Sequence, residues 1–197
     1  MEEEKLVAID ADQYDFYVDH MYVDRIDSRE YKHKKARLLY ADGGIIHVFT
    51  TTKHWYLPAR FYMWIPANTT YHLESTSSRI PLYSFYFKEK QHMPSVLSTP
   101  NIFLSNDLVR EMFLFAQDWS GGISKTADYS KYCLLRAMMA IIPDTSSPID
   151  AFPMQHPYPK SEKLRSVARY LNSNIDQAFT IEQVAVRFGM SSRSLSR

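Results

Sequence analysis

The feature that most constrains this chain is a change in apolar period near Pro100. From Ala36 to about Lys88 the apolar residues come in short bursts: Arg37-Leu38-Leu39-Tyr40, Ile45–Phe49, Phe61–Ile65 and Leu82–Phe87. These bursts are rich in aromatic and β-branched residues, which suit a pleated, half-buried surface. Turn formers separate them: Asp42-Gly43-Gly44, Leu57-Pro58-Ala59, Ile65-Pro66-Ala67-Asn68 and Ser77-Ser78-Arg79. Short strands at this spacing predict a small barrel or sandwich, to which Tyr14–Val18 and Met21–Val23 add one or two further strands. Beyond Pro100 the period becomes helical. Ser105 or Asn106 caps a helix with the stripe Leu108, Met112, Phe115 and Trp119, stopped by Gly121-Gly122. A second helix is expected from about Thr126 to Ile142, ended by Pro143. Its ridge of Leu134/Leu135, Met138 and Ile141/Ile142 is broader than one intrachain contact needs and predicts a partner surface.

From Pro143 to Pro159, with Pro148, Pro153 and Pro157 between them, proline spacing disfavours regular structure and reads as a linker. Ser161 then caps a helix running to about Asn172, with Leu164, Val167, Ala168 and Leu171 on one face. Thr180 caps the next, with Gln183 at the capping-box spacing and Ile181, Val184, Ala185 and Phe188 facing inward. Gly189 suits a left-handed helix end, and Ser191 caps a last helical stretch through Arg197.

Charge follows the same division. The whole chain is +1, yet residues 160–197 carry seven Lys/Arg against three Asp/Glu, which leaves the rest at −3. A basic end on a mildly acidic body fits a division of labour, and excludes both a uniformly basic coating protein and an acidic disordered tail. The segment Thr180–Arg197 has the pattern helix, glycine turn, capped helix, in which the second helix enters the DNA major groove. The pattern alone also suits a three-helix interaction domain with a solvated basic face.

The wording of this segment narrows the choice. Leu164, Tyr170-Leu171, Asn174 and Phe179-Thr180-Ile181-Glu182-Gln183-Val184-Ala185, followed by Phe188-Gly189-Met190-Ser191-Ser192-Arg193-Ser194-Leu195-Ser196-Arg197, resemble the first helix-turn-helix of the AraC/XylS family of bacterial transcription regulators. Ile65-Pro66-Ala67-Asn68-Thr69-Thr70-Tyr71-His72 is similar to a stretch of that family's cupin-like domain, with Ala67 in place of a second proline. His33 resembles the histidine that often precedes its first long strand.

The resemblance implies an α+β chain: a cupin-like effector-binding β-barrel over residues 1–100, a helical dimerisation segment over 101–142, a linker over 143–159, and a partial helix-turn-helix domain over 160–197. It implies DNA as the partner of the full-length protein, a small-molecule effector, a homodimer, and Arg193, Ser196 and Arg197 as base-facing residues. Because the family joins two helix-turn-helix units, the chain is expected to be truncated within the first and to bind DNA poorly alone.

Barrel mouths commonly take ligands in apolar pockets with a few polar groups. Tyr40, Trp55, Tyr62, Trp64, His72 and Tyr83 are the candidate ligand-binding residues. No metal or cofactor is expected: His33 and His72 could meet in space, yet no His-x-His pair is present, and Lys32, Lys34 and Lys35 would repel a cation. His47 and His54 show no ligand spacing. The single cysteine, Cys133, excludes an intramolecular disulfide framework. No nucleophile elbow, phosphate loop, His-Glu-x-x-His or Cys-x-x-Cys motif supports catalysis. The rival readings are a cupin-fold metal enzyme and a ligand-binding or dimerisation module that never touches DNA. Met1-Glu2-Glu3-Glu4-Lys5 lacks the apolar region of a signal peptide, and no long apolar run reads as a membrane span, so the expected location is the cytoplasm.

Overall fold

A computed structural model describes residues 2–89, 94–145, 155–157, 159, 161–174 and 178–196. Helix α1 (Glu2–Ile9) leads into β1 (Phe16–Val23), β2 (Ile26–Asp27), β3 (Ala36–Ala41), β4 (Ile45–Thr50), β5 (Lys53–Pro58), β6 (Phe61–Ile65), β7 (Tyr71–Ser75) and β8 (Ile80–Phe87). Strand β9 (Asn101–Leu104), helix α2 (Asp107–Phe115), β10 (Gly121–Ile123), helix α3 (Tyr129–Thr145) and β11 (Gln155–Pro157) follow. The C-terminal helices are α4 (Glu162–Ser173), α5 (Ile181–Arg187) and α6 (Ser192–Leu195).

The strands form two antiparallel sheets, ordered β10-β1-β8-β3-β6-β9 and β11-β5-β4-β7-β2. The expected closed cupin-like barrel is therefore corrected to two separate sheets, with one isolated bridge, Tyr31 to Tyr71, outside the strands. Closure would require the sheet edges to pair, and short strands such as β9, β10, β11 and β2 occupy those edges instead.

Strand β3 explains the layering. All six of its residues are buried, because it is central and covered on both faces. Ala36, Leu38 and Tyr40 join a core with Tyr62, Trp64, Phe85 and the helices α2 and α3. Leu39 and Ala41 face the other way, into the space between the sheets, with Ile46, Val48, Leu57, Met63 and Leu73. The molecule therefore has two cores, one under the helices and one between the sheets.

The cap of α2 is as expected, while its buried stripe, the glycine pair, the end of α3 and part of the linker differ from expectation. Asn106 caps α2, its side chain accepting from the Val109 amide at 2.8 Å. The buried stripe of α2 is Val109, Met112, Phe113 and Ala116, whereas Leu108 and Phe115 are exposed. Two apolar stripes compete on this helix, and the one carrying Phe113 is selected because its ring stacks on Tyr40 at 4.6 Å. Gly121-Gly122 does not simply end the helix; it belongs to β10, which pairs with β1. Helix α3 starts at Tyr129 and continues through Pro143 to Thr145. A proline this close to the end removes one backbone bond and leaves little helix beyond it to disrupt. Residues 155–157 of the expected linker pair with β5. They form a sheet edge, where the missing amide of Pro157 is tolerated.

Candidate functional site

The side chains expected to line one pocket are distributed over three surfaces. Tyr40, Tyr62, Trp64 and Tyr83 lie in the core beneath the helices. The Trp64 indole donates to the Leu97 carbonyl at 2.8 Å, a structural bond. Trp55 points into the core between the sheets. His72 lies on the opposite face of the second sheet, stacked on Phe49 at 4.6 Å and 3.3 Å from the Glu74 carboxylate. Alternation along each strand sends neighbouring candidates to opposite faces, so nearness in sequence does not bring them together.

A cavity of about 490 Å³ lies elsewhere, between α1, the outer parts of β1 and β2, and the mouth of the sandwich. Roughly 300–1,000 Å³ is usual for organic ligands. One wall is apolar, with Leu6, Ile9, Met21, Ile26, Leu73 and Leu82. Lys5, Asp19, Asp24, Arg25 and Asp27 also border it, and Lys5 pairs with Asp19 at 2.7 Å. Tyr31, His33, Arg37 and Tyr86 border it on the side of β3 and β8.

Arg37 is the unusual group. It is 6% exposed, on a central strand. Its Nη1 donates to the Tyr71 hydroxyl at 2.9 Å and its Nη2 to the Ser84 hydroxyl at 2.7 Å. The guanidinium lies 5.7 Å and 5.4 Å from the ring centroids of Tyr71 and Tyr86. Its buried Nε has no partner, and among the described residues no carboxylate pairs with it. Burial opposes the charge, but the neighbouring tyrosine hydroxyls outweigh it and hold the group protonated.

His33 sits beside it, 3% exposed. Burial, then Arg37 and Lys35, push its pKa down to about 4, so the ring is neutral near pH 7. Its Nδ1 has no hydrogen-bond partner, Asp10 standing 3.9 Å away. The Asn68 amide donates to the His33 carbonyl at 2.7 Å, and Asn68 adopts φ 61°, which asparagine tolerates. The stretch that resembles a family motif thus positions the His33 loop. Lys35 donates to the Ile9 and Ala11 carbonyls at 2.6 Å and 2.8 Å, fastening the end of α1 against the sandwich. The buried roles of Arg37 and Lys35 were not read from the sequence, where Arg37 stood only within an apolar burst and Lys35 only as a charge opposing a cation. The available signal was a charged residue inside an apolar strand, which must be compensated when buried.

His33 and His72 do not meet, and among the described residues no group of three or more His, Cys, Asp or Glu is placed to hold a metal. His47 Nδ1 and His54 Nε2 are 2.9 Å apart, brought together by the β4–β5 pairing despite their uninformative spacing.

The C-terminal segment follows its local sequence prediction except at Ser161, which stands at the start of α4 without a side-chain cap bond. The Thr180 hydroxyl accepts from the Gln183 amide, and the Gln183 side chain accepts from the Thr180 amide at 2.9 Å. At the other end, Gly189 has φ 55°. The Met190 amide donates to Ala185 O at 2.8 Å and the Gly189 amide to Val186 O at 3.1 Å, a Schellman closure. The side chain of Ser191 caps α6 by accepting from the Ser194 amide at 3.1 Å. Lys163 of α4 donates to Gly189 O at 2.9 Å and holds the turn. Tyr170 packs against Phe179 and Phe188, with the Arg187 guanidinium 4.3 Å from its ring centroid. Arg193 and Ser196 are exposed, while Arg197 lies outside the described residues.

No family model matches the chain. No curated protein matches it either. Among solved structures it is similar to ToxT from Vibrio cholerae, at 9% identity over 92% of this chain and 74% of that one, with a TM-score of 0.44. It is also similar to the AraC-like transcriptional activator CuxR, at 10% identity over 93% and 69%, with a TM-score of 0.48. A third similarity is to HEPD from Streptomyces albus, solved with 2-hydroxyethylphosphonate and Fe(II), at 12% identity over 94% and 34%, with a TM-score of 0.32.

Proposed function

We propose that this chain is a ligand-responsive, sequence-specific DNA-binding transcription regulator of the AraC type, a binder rather than an enzyme. The carrying observation is the α5–turn–α6 unit: a capping box, a left-handed glycine, a Schellman closure and a second cap present a short helix with Arg193 and Ser196 outward. Arginine suits guanine edges or phosphates, and serine suits either. Residues 160–197 form the reading end, with Arg197 as a third contact. The sensor, expected over 1–100 with a separate segment at 101–142, is proposed to be one packed unit through α3, because β9 and β10 complete its first sheet.

Dimerisation is proposed on different grounds from those first expected. Leu135, Met138 and Ile142 of the ridge are buried in the molecule's own core. The exposed apolar residues of this region include Leu108, Phe115 and Tyr129. Light scattering on concentrated protein is expected to show a dimer; a monomer contradicts the proposal.

DNA binding is tested by fluorescence anisotropy of a labelled random duplex across a salt series. Weak, salt-dependent binding is expected, with Kd on the order of 10⁻⁴–10⁻⁶ M. Arg193→Ala should lower the log–log salt slope by about 1. Binding absent at every salt concentration, or unchanged by Arg193→Ala, contradicts the assignment.

A further inference from the structure

We infer that the cavity between α1 and the sandwich mouth binds an amphipathic organic monocarboxylate, its carboxylate seated on Arg37 and its alkyl body along the apolar wall. The inference rests on reading this cavity as the effector site, and adds the chemical class of the effector.

The first reason is an uncompensated charge. A guanidinium carries five N–H donors. Two of these go to Tyr71 and Ser84, both neutral acceptors. The Nε is buried and unpartnered, and no described carboxylate pairs with the group. A buried arginine in this condition is costly unless an anion reaches it. The cavity that it borders is the route by which one can.

The second reason is the neighbouring buried imidazole. His33 Nδ1 is also buried and unpartnered, and His33 lines the cavity as Arg37 does, so two residues with unsatisfied polar atoms stand side by side at its wall. Near pH 7 this imidazole is neutral, since burial, Arg37 and Lys35 oppose its protonation. It can hydrogen-bond a carboxylate oxygen without adding charge. The groups facing it are Asp10, Lys35, Arg37, Tyr31, Tyr71 and Tyr86.

Charge count and shape select the class. Lys5 is paired with Asp19 and Arg25 is exposed, which leaves Arg37 as the buried cation of the lining, and a single buried cation favours a monoanion. Asp19, Asp24 and Asp27 along the cavity outnumber Lys5 and Arg25, so a dianion such as phosphate or a dicarboxylate meets repulsion. The lining also carries the apolar side chains of Leu6, Ile9, Met21, Leu73 and Leu82, which reward an alkyl chain rather than a polyol.

The test uses the full 197-residue chain, with octanoate as probe and 1-octanol, suberate, phosphate and arabinose as comparisons. Calorimetric titration and thermal unfolding are expected to show binding and a raised Tm with octanoate alone. Arg37→Met should weaken octanoate at least about tenfold. Its unliganded Tm should fall, because the Tyr71 and Ser84 hydroxyls lose a donor, so affinity is compared below the unfolding transition. Where Arg37→Met does not fold, the wild-type His33 ring gives the answer by NMR: a carboxylate on Arg37 should raise its pKa from about 4. Equal binding of octanol, retention of octanoate by Arg37→Met, or an unmoved His33 pKa under saturating octanoate overturns the proposal. Binding of arabinose instead would also overturn it, while leaving the cavity an effector site. The DNA reading is tested separately by Arg193→Ala.

Discussion

At the scale of single residues, His33 sets a pH dependence. Its pKa falls from 6.5 in an unfolded chain to about 4 in the folded one. Between these values the unfolded state binds the proton that the folded state refuses. Stability is then fully present above about pH 6.5 and is lost as pH falls toward 4. This residue contributes up to about 3 kcal/mol to that loss. Urea unfolding at pH 7 and pH 4.5 should show the fall, and His33→Gln should make it shallower; an unchanged slope would contradict the assigned burial. Trp64 is a second case. Trp64→Phe removes the donor to the buried Leu97 carbonyl and should cost about 1–3 kcal/mol in the same assay.

At the scale of elements, the helix ends decide what is rigid. Thr180→Ala removes a capping box and should cost about 1 kcal/mol, read as faster amide exchange across α5. Lys35→Met strips the donor from two carbonyls at the end of α1, Ile9 and Ala11. Exchange in α1 should quicken, and any cavity ligand should bind more weakly, since Leu6 and Ile9 form part of the wall. Elements were unevenly legible from sequence. The caps at Asn106, Thr180 and Ser191 were readable because each is a local bond between a side chain and a nearby amide. The stripe of α2 was misread because two helical periods coexist there, and only packing of Phe113 on Tyr40 separates them. The strands β5 and β7 were not marked out in the sequence, since His54, His72 and Glu74 interrupt their apolar runs on the outer face.

At the scale of the whole molecule, the β-then-α order was visible as a period change, but the placement of the cavity was not. Six aromatic or histidine candidates were grouped by type, whereas pleating divided them between two cores and an outer face. The group that marks the cavity, Arg37, is a lone charge in an apolar strand, and its meaning depends on β3 being covered on both sides. The proposed sensor and reader also touch. Arg169 of α4 lies 3.2 Å from the Glu74 carboxylate on β7, which His72 also approaches. The Glu74 pKa is lowered: burial raises it, but the His72 hydrogen bond and Arg169 outweigh that. Leu73, the neighbour of Glu74 on the same strand, borders the cavity. This strand therefore touches both the cavity and α4, and Glu74→Gln should loosen α4 in hydrogen exchange.

One chain is proposed to join a ligand cavity to a DNA reader. The most direct measurement is anisotropy of a labelled duplex at low and moderate salt, with the cavity empty and with it filled by a compound that raises Tm. Weak binding that falls steeply with salt and shifts when the cavity is filled is the expected result. A chain whose DNA affinity is nil, or is indifferent to salt and to the occupied cavity, would contradict it.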